Sequence, residues 1–279
     1  MLEIETRGKD LVVRGVACLS LPLTLDCGQA FRWRQLEDGR WRGVVRGHPL
    51  TAGYEEDRLV LYDTTATDFE EIWSPYFDLE RDYSAILLRL CEDPILARAV
   101  RANRGIRILR QEPWEALCSF IISQNNNIPR IKGIIARLCE YFGEKAMPGD
   151  FSFPGAERLA PLEPEDLAPL RAGFRARYII DAARRVASGE VRLDKLPELP
   201  LESARAELMK ITGVGIKVAD CTLLYGAGRL QICPMDVWMK RVLAVCYPQG
   251  FPACAHSMEG IAQQYLFHYA RTGGELQVG

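Results

Sequence analysis

The sequence predicts an α+β fold, with a small antiparallel β-sheet domain at residues 1–75 packed on a mostly α-helical domain at residues 76–279. Three observations carry that reading. Residues 1–62 fall into short β-branched and aromatic runs separated by acidic turns. The later chain places its apolar residues at helical spacing. Within it, residues 208–240, LMKITGVGIKVADCTLLYGAGRLQICPMDVWMK, set a tight turn, Gly213-Val214-Gly215, between two segments of helical periodicity.

In chain order, Leu11-Val12-Val13, Trp41-Arg42-Gly43-Val44-Val45 and Leu59-Val60-Leu61-Tyr62 read as strands. Glu37-Asp38-Gly39 and Glu55-Glu56-Asp57 supply turns between them. Strands this close in sequence pair antiparallel. In the same region LPLTLDCGQAFRWRQ, residues 21–35, has a bend at Gly28 and sets Phe31 and Trp33 at strand spacing, as a core stripe would. Helix is expected from Tyr76, after Ser74-Pro75, to about residue 100, so the domain boundary falls within residues 63–75. Residues 98–110, RAVRANRGIRILR, then carry five arginines and no acid, with Gly105 interrupting the helix. That row suits a solvated face as well as it suits phosphate contact.

Pro113 opens the next helix, whose segment WEALCSFIISQ is apolar enough to be buried. It runs into Asn125-Asn126-Asn127-Ile128-Pro129-Arg130, and three asparagines suit a helix–helix loop. Residues 131–143 read as an amphipathic helix stopped at Gly143, and residues 144–166, rich in proline, glycine and acids, as loop. In RAGFRARYIIDAARRVASG, residues 171–189, Phe174 is flanked by arginines. An exposed aromatic in such company is what a base-displacing wedge looks like; a core phenylalanine is the plainer alternative. The last helix, about Met258–Ala270, holds Gln263 and Phe267 at i and i+4, and the tail from residue 272 is expected to fray.

The glycine turn is where chemistry is expected. Two helices joined by such a hairpin present consecutive backbone N–H groups at the start of the second, an anion site that needs no side-chain charge. Lys217 falls in that helix's first turn, where the positive end of the dipole disfavours an ammonium, as a nucleophilic amine requires. Asp236 precedes VWMKRVLAV as an N-cap, a role that holds a carboxylate in place and leaves it free to act. Lys217 and Cys221 lie at i and i+4, on one face of the helix.

Composition narrows the classes. A 48% hydrophobic and 26% charged chain is ordinary for a soluble globular protein. The net charge of −2 announces no global basic field, so nucleic-acid contact must come from local patches. Nine scattered cysteines without a CxxC pair read as buried thiols in a reducing compartment, and the three histidines do not cluster. No metal and no cofactor is expected, nor any leader or bilayer-spanning run.

Residues 208–240 resemble the helix-hairpin-helix and Gly/Pro-Asp signature of the DNA glycosylase superfamily, with Lys217 and Asp236 at its two catalytic positions. GQAFRW, well upstream and in the matching order, resembles the motif of the 8-oxoguanine DNA glycosylases. The resemblance covers nearly the whole chain. It implies a bifunctional enzyme that excises 8-oxoguanine from double-stranded DNA, opposite cytosine by preference, through a lysine Schiff base and then cleaves the strand. It also implies that Gly28, Cys221, Gln263 and Phe267 bind the base, and that Gly213 and Gly215 hold phosphate. Asn125, Arg130 and Arg175 would meet the opposite strand, with Phe174 as wedge. A cytoplasmic monomer is expected, at the nucleoid in a bacterium or in the nucleus of a eukaryote. Two departures stand out: Thr212 where the family usually has proline, and Trp238 where its eukaryotic members have histidine. A glycosylase for another damaged base and a non-catalytic DNA-binding module remain as alternatives.

Overall fold

A computed structural model describes residues 2–274. Six strands form one antiparallel sheet: β1 (Glu3–Arg7), β2 (Asp10–Arg14), β3 (Arg34–Gln35), β4 (Trp41–Val45), β5 (His48–Glu55) and β6 (Arg58–Tyr62), in the order β1-β2-β6-β5-β4-β3. The register pairs Leu11 with Leu61 and Trp41 with Ala52, so one face carries the apolar side chains. All three expected strand runs are present.

Inside this region the segment before the GQAFRW motif is a short helix, α1 (Leu21–Leu25), rather than a strand. Ser20 accepts the Leu23 N–H and Pro22 lies in the first turn, both signals of a helix start. Helix also begins earlier than Tyr76, with α2 (Ala66–Asp68), a π turn at Phe69–Trp73 and α3 (Ser74–Tyr76). Thr65 and Asp68 form a capping box there.

The remaining α-helices are α4 (Tyr83–Leu90), α5 (Pro94–Ala102), α6 (Pro113–Ser123), α7 (Ile128–Phe142), α8 (Ala156–Leu159), α9 (Arg175–Ala187), α10 (Leu201–Met209), α11 (Ile216–Gly226), α12 (Val237–Cys246) and α13 (Glu259–Arg271), with 3-10 turns at Pro164–Leu170, Leu193–Lys195 and Ala253–Ala255. Between α7 and α8 the expected loop contains a small strand pair, β7 (Lys145–Met147) with β8 (Asp150–Phe151). Its Asp150, 3% exposed, takes Arg34 and Arg42 of the large sheet at 2.8 and 2.6 Å. Those ion pairs, rather than apolar periodicity, order the hairpin, which is why its strands are not legible in the composition. Among the described residues no helix is long and apolar enough to cross a membrane. Of the tail expected to fray, residues 275–279 lie outside the described residues.

Two apolar cores result, and residues 21–35 form the seam between them. Leu21, Leu25, Ala30 and Trp33 enter the sheet core with Trp73 and Phe77, whereas Cys27 and Phe31 enter the helical core with Phe120 and Ile121. Phe31 and Trp33 therefore do not form one stripe. The residues after α5 make a second segment of the seam, with Ile106 and Ile108 in the helical core and Leu109 in the sheet core. Arg107 of the arginine row is turned inward, 2% exposed, with its guanidinium on the carbonyls of Ala17, Cys18 and Asp78 and 4.3 Å from the Tyr83 ring. It is a structural joint and offers nothing to a phosphate.

Gln29 ties the two seam segments together. Fully buried, its Nε2 donates to Thr24 O at 2.8 Å and Arg107 O at 2.7 Å, and its Oε1 accepts the Leu109 N–H at 2.9 Å. Its own carbonyl accepts from Gln111 Nε2 at 2.7 Å. Buried polar groups left without partners cost about 1–3 kcal/mol each. Gln29→Ala is accordingly expected to destabilise the fold by about 3 kcal/mol or more. Urea denaturation checks this, and an unchanged midpoint and slope would contradict it.

Candidate active site

The hairpin is built on α9. Gly213 has φ +80°, and a Cβ there would lie 2.5 Å from the Tyr178 ring, so both backbone and space demand glycine. Gly215 caps α11 without a side chain, which leaves the first-turn N–H groups facing outward. Thr212 explains itself: its N–H donates to Asp181 Oδ2 at 2.7 Å, and Arg185 holds the same oxygen at 3.0 Å. Proline has no such donor. The rigidity a proline would supply comes here from a hydrogen bond to α9. Burial opposes ionisation of Asp181, but the Thr212 N–H and the Arg185 guanidinium hold its carboxyl below the usual carboxylate range.

Lys217 follows in the first turn of α11, half-buried. Its Nζ lies 3.4 Å from Ser123 Oγ at the end of α6 and 5.2 Å above the Phe120 ring. Phe120 is stacked on Tyr225, with centroids 5.2 Å apart, and takes the edge of Phe31. One turn on, Cys221 is 3% exposed; burial pushes its thiol up to about 11, with the Lys217 ammonium opposing and the Asp236 carboxylate adding to it. It is a neutral, polarizable surface at neutral pH. Asp236 caps α12, with Oδ1 accepting the Met239 N–H at 2.7 Å. The first turn of that helix leaves Val237 and Trp238 exposed, Trp238 by 52%.

Gly28 and α13 form the opposite side. Gly28 has φ +91°, and a Cβ on it would stand 3.3 Å from Ile128 Cδ1, 3.7 Å from Arg271 Nη1 and 4.0 Å from Phe267 Cε1. Space there is tight but not closed; the backbone conformation is what excludes a side chain. Its neighbours are both pinned. Gln29 is held as described, and Cys27 O accepts from Gln264 Nε2 at 3.3 Å. Gln264 Oε1 accepts the Tyr225 hydroxyl at 2.6 Å, which joins α13, the Gly28 turn and α11 in one chain of bonds. Gln263 is 5% exposed, yet its Oε1 is buried with no hydrogen-bond partner among the described residues. Buried acceptors are nearly always satisfied, so this one points to a donor brought by a ligand.

Opposite-strand candidates lie on the α6–α7 loop and α9. Asn125 is exposed at φ +47°, a conformation asparagine tolerates, and Asn127 caps α7 by accepting the Arg130 N–H. Arg130 is exposed. Arg175 is not: it is 3% exposed, with its guanidinium on the carbonyls of Gln124, Asn125 and Ala172 and 4.4 Å from the Phe174 ring. Burial, and then the like charge of Arg130, hold it below its usual value. Arg175 thus fixes the asparagine loop in place. Phe174, 47% exposed, rests edge-on against Tyr178 at 5.7 Å.

The geometry brings together Lys217, Cys221 and Asp236 on one side, and Gly28, Phe267 and Gln263 on the other. Gln29, Gln264, Ser123, Tyr178 and Asp181 escaped the sequence reading. Gln29 stood in the GQAFRW motif, and Asp181 stood as the one acid in an arginine-rich run; neither carried a signal of its partner.

Comparisons with known proteins agree with this assembly. Residues 12–117 match the family model of the 8-oxoguanine DNA glycosylase N-terminal domain, and residues 118–249 that of the HhH-GPD superfamily base excision DNA repair proteins. A solved structure of MBOgg1 in complex with a low-affinity DNA ligand is 43% identical, with TM-score 0.93 over 99% of this chain and 100% of that one. The Clostridium acetobutylicum 8-oxoguanine glycosylase/lyase, solved with double-stranded DNA containing cytosine opposite 8-oxoG, is 35% identical, with TM-score 0.89 over 98% of each chain. The N-glycosylase/DNA lyase of Saccharomyces cerevisiae is 40% identical over 52% of this chain; the match spans 43% of the yeast protein, less than two thirds of its length. The fold and the site define a helix-hairpin-helix protein of base excision repair. Within that class, the chain belongs to the 8-oxoguanine DNA glycosylase family.

The Asp181 anchor makes a pH-dependent expectation. Asp181→Ala should loosen the hairpin, weaken duplex binding several-fold and cost about 1 kcal/mol of stability at neutral pH. Because the native carboxyl is depressed, the anchor's contribution is fully present above the unfolded value of about 3.9. It is lost as pH falls through the lower native value. Denaturation of both proteins from pH 7 to pH 3 should show a constant stability gap that closes only at the acid end. A gap that widens in acid would contradict the assignment.

Proposed function

We propose that the chain is a bifunctional DNA glycosylase that excises 8-oxoguanine, preferentially opposite cytosine, and then cleaves the strand by β-elimination. The observation that carries this reading is the buried Gln263 Oε1, which has no partner among the described residues, on the helix that also bears Phe267 beside the Gly28 turn and that Gln264 ties to α11, the helix of Lys217. A purine's Watson–Crick edge supplies the donors this oxygen lacks, while Phe267 and Cys221 take the two faces of the ring.

The chemistry follows from the residues. A base in the duplex is out of reach, so it is extruded, at an unstacking cost of a few kcal/mol, with Phe174 filling toward the gap. Hairpin N–H groups hold a flanking phosphate. Lys217 Nζ forms a bond to C1′ as the C1′–N9 bond breaks, and the base departs with the electron pair and takes up a proton. Asp236 stabilises the positive charge that develops on the sugar. The sugar ring opens to an iminium, C2′ loses a proton, and the 3′ phosphate leaves; water then releases the lysine. Cys27 and Gln29 keep the Gly28 carbonyl fixed toward N7, which bears a hydrogen in 8-oxoguanine and a lone pair in guanine. With guanine two acceptors would face each other, and an unmade buried bond of this kind costs about 1–3 kcal/mol. Asn125 and Arg130 face the unpaired cytosine, with Arg175 setting their loop. Trp238 offers an indole N–H to a phosphate where eukaryotic relatives would use histidine. We place the protein with the DNA it repairs, in the cytoplasm at the nucleoid or in the nucleus.

Single-turnover excision from duplexes with 8-oxoguanine opposite each of the four bases tests this. Release should be fastest opposite cytosine, and Arg130→Met should flatten that preference more than it slows the cytosine reaction. Gly28→Ala and Asp236→Asn should each lower the rate by orders of magnitude, with duplex binding kept. Lys217→Gln should abolish release. Equal wild-type rates opposite all four bases would refute the opposite-strand assignment, and an active Lys217→Gln protein would refute the chemistry.

A further inference from the structure

Gln263, Phe267 and Arg271 are spaced by four along α13, so they share one stripe of the helix. Exposure rises along that stripe: Gln263 is buried, Phe267 half-buried and Arg271 exposed. At its outer end, Arg271 Nη1 stands 3.7 Å from where a Gly28 Cβ would be, on the side that Phe267 also faces. The guanidinium thus hangs over the Gly28 turn, whose carbonyl meets N7 in the function proposed above. Asp26, which like Arg271 acts on the charge of His268, is bonded to Lys132 at 2.6 Å.

We propose that Arg271 is a specificity-determining residue that donates to the C8 oxygen of 8-oxoguanine. This rests on the reading of the pocket given above. The lesion differs from guanine along one edge, where N7–H and C8=O stand side by side as donor and acceptor. A carbonyl and a guanidinium placed side by side complement both groups at once. Guanine offers a lone pair at N7 and only a C–H at C8, so it meets repulsion at Gly28 and gives Arg271 no C8 oxygen. The order along α13 matches the purine: Gln263 at the Watson–Crick edge, Phe267 on the ring, Arg271 at the C8 end. Hydrogen bonds to a charged donor are stronger than neutral ones, so the contact adds discrimination as well as binding.

The test compares wild type, Arg271→Ala and Arg271→Lys on an 8-oxoguanine:cytosine duplex and on the same duplex with a preformed abasic site. Arg271→Ala should slow base release roughly tenfold, while affinity for the abasic duplex and its cleavage stay within about twofold. Arg271→Lys should recover part of the loss. An equal fall on the abasic duplex would mean that Arg271 holds a phosphate or the fold, and overturns the proposal. So does unchanged base release. If wild type itself releases no 8-oxoguanine, the reading of the pocket falls along with it.

Discussion

The structure depends on one buried amide. Gln29 stands where the sheet core and the helical core meet, and its hydrogen bonds reach across the seam to Arg107 and Leu109. The proposed chemistry takes an acceptor from one side of that seam, the Gly28 carbonyl, and a nucleophile from the other, Lys217. Apolar packing alone would hold the two layers together without fixing their register, because hydrophobic burial is non-directional. Directional bonds in a dry interior supply the register. Gln264 and Tyr225 repeat the device one layer deeper, joining Cys27 to α13 and α11.

The same division of labour appears at the DNA-facing side. Arg175 spends its guanidinium on carbonyls of the α6–α7 loop, and Asp181 spends its carboxylate on the hairpin N–H of Thr212. Both come from α9, whose N-terminus also carries Phe174. One helix therefore sets the positions of Phe174, the asparagine loop and the glycine hairpin. On this side the residues proposed to touch DNA, Phe174, Asn125 and Arg130, are exposed, and the polar residues that hold them in place are partly or fully buried. A net charge of −2 is compatible with that design, since backbone N–H groups at a helix start need no side-chain charge to hold a phosphate.

Much of this was legible in the sequence because it rests on local rules. Strand runs, the Pro113 helix start, the glycine hairpin and the Asp236 cap are all set by neighbours in the chain, and they stand as expected. The i,i+4 pairs Lys217/Cys221 and Gln263/Phe267 needed only helix geometry. What escaped depends on partners distant in sequence. Arg107 reads as one more arginine in a basic row until Ala17, Cys18 and Asp78 close around it. Thr212 reads only as a missing proline until Asp181 is seen to receive its N–H. Asp150 orders a strand pair whose composition reads as loop. Phe31 and Trp33 look like one stripe because residue spacing says nothing about two cores meeting along the segment.

The central claim is that the Lys217 amine becomes bonded to the sugar. Reduction with borohydride during turnover on an 8-oxoguanine:cytosine duplex fixes such an imine as a stable amine. Digestion and mass spectrometry then locate the modified residue. The account predicts a single adduct on the peptide containing Lys217, carrying the mass of a reduced deoxyribose fragment. An adduct on another lysine or on the terminal amine, or base release with no adduct at all, would contradict it.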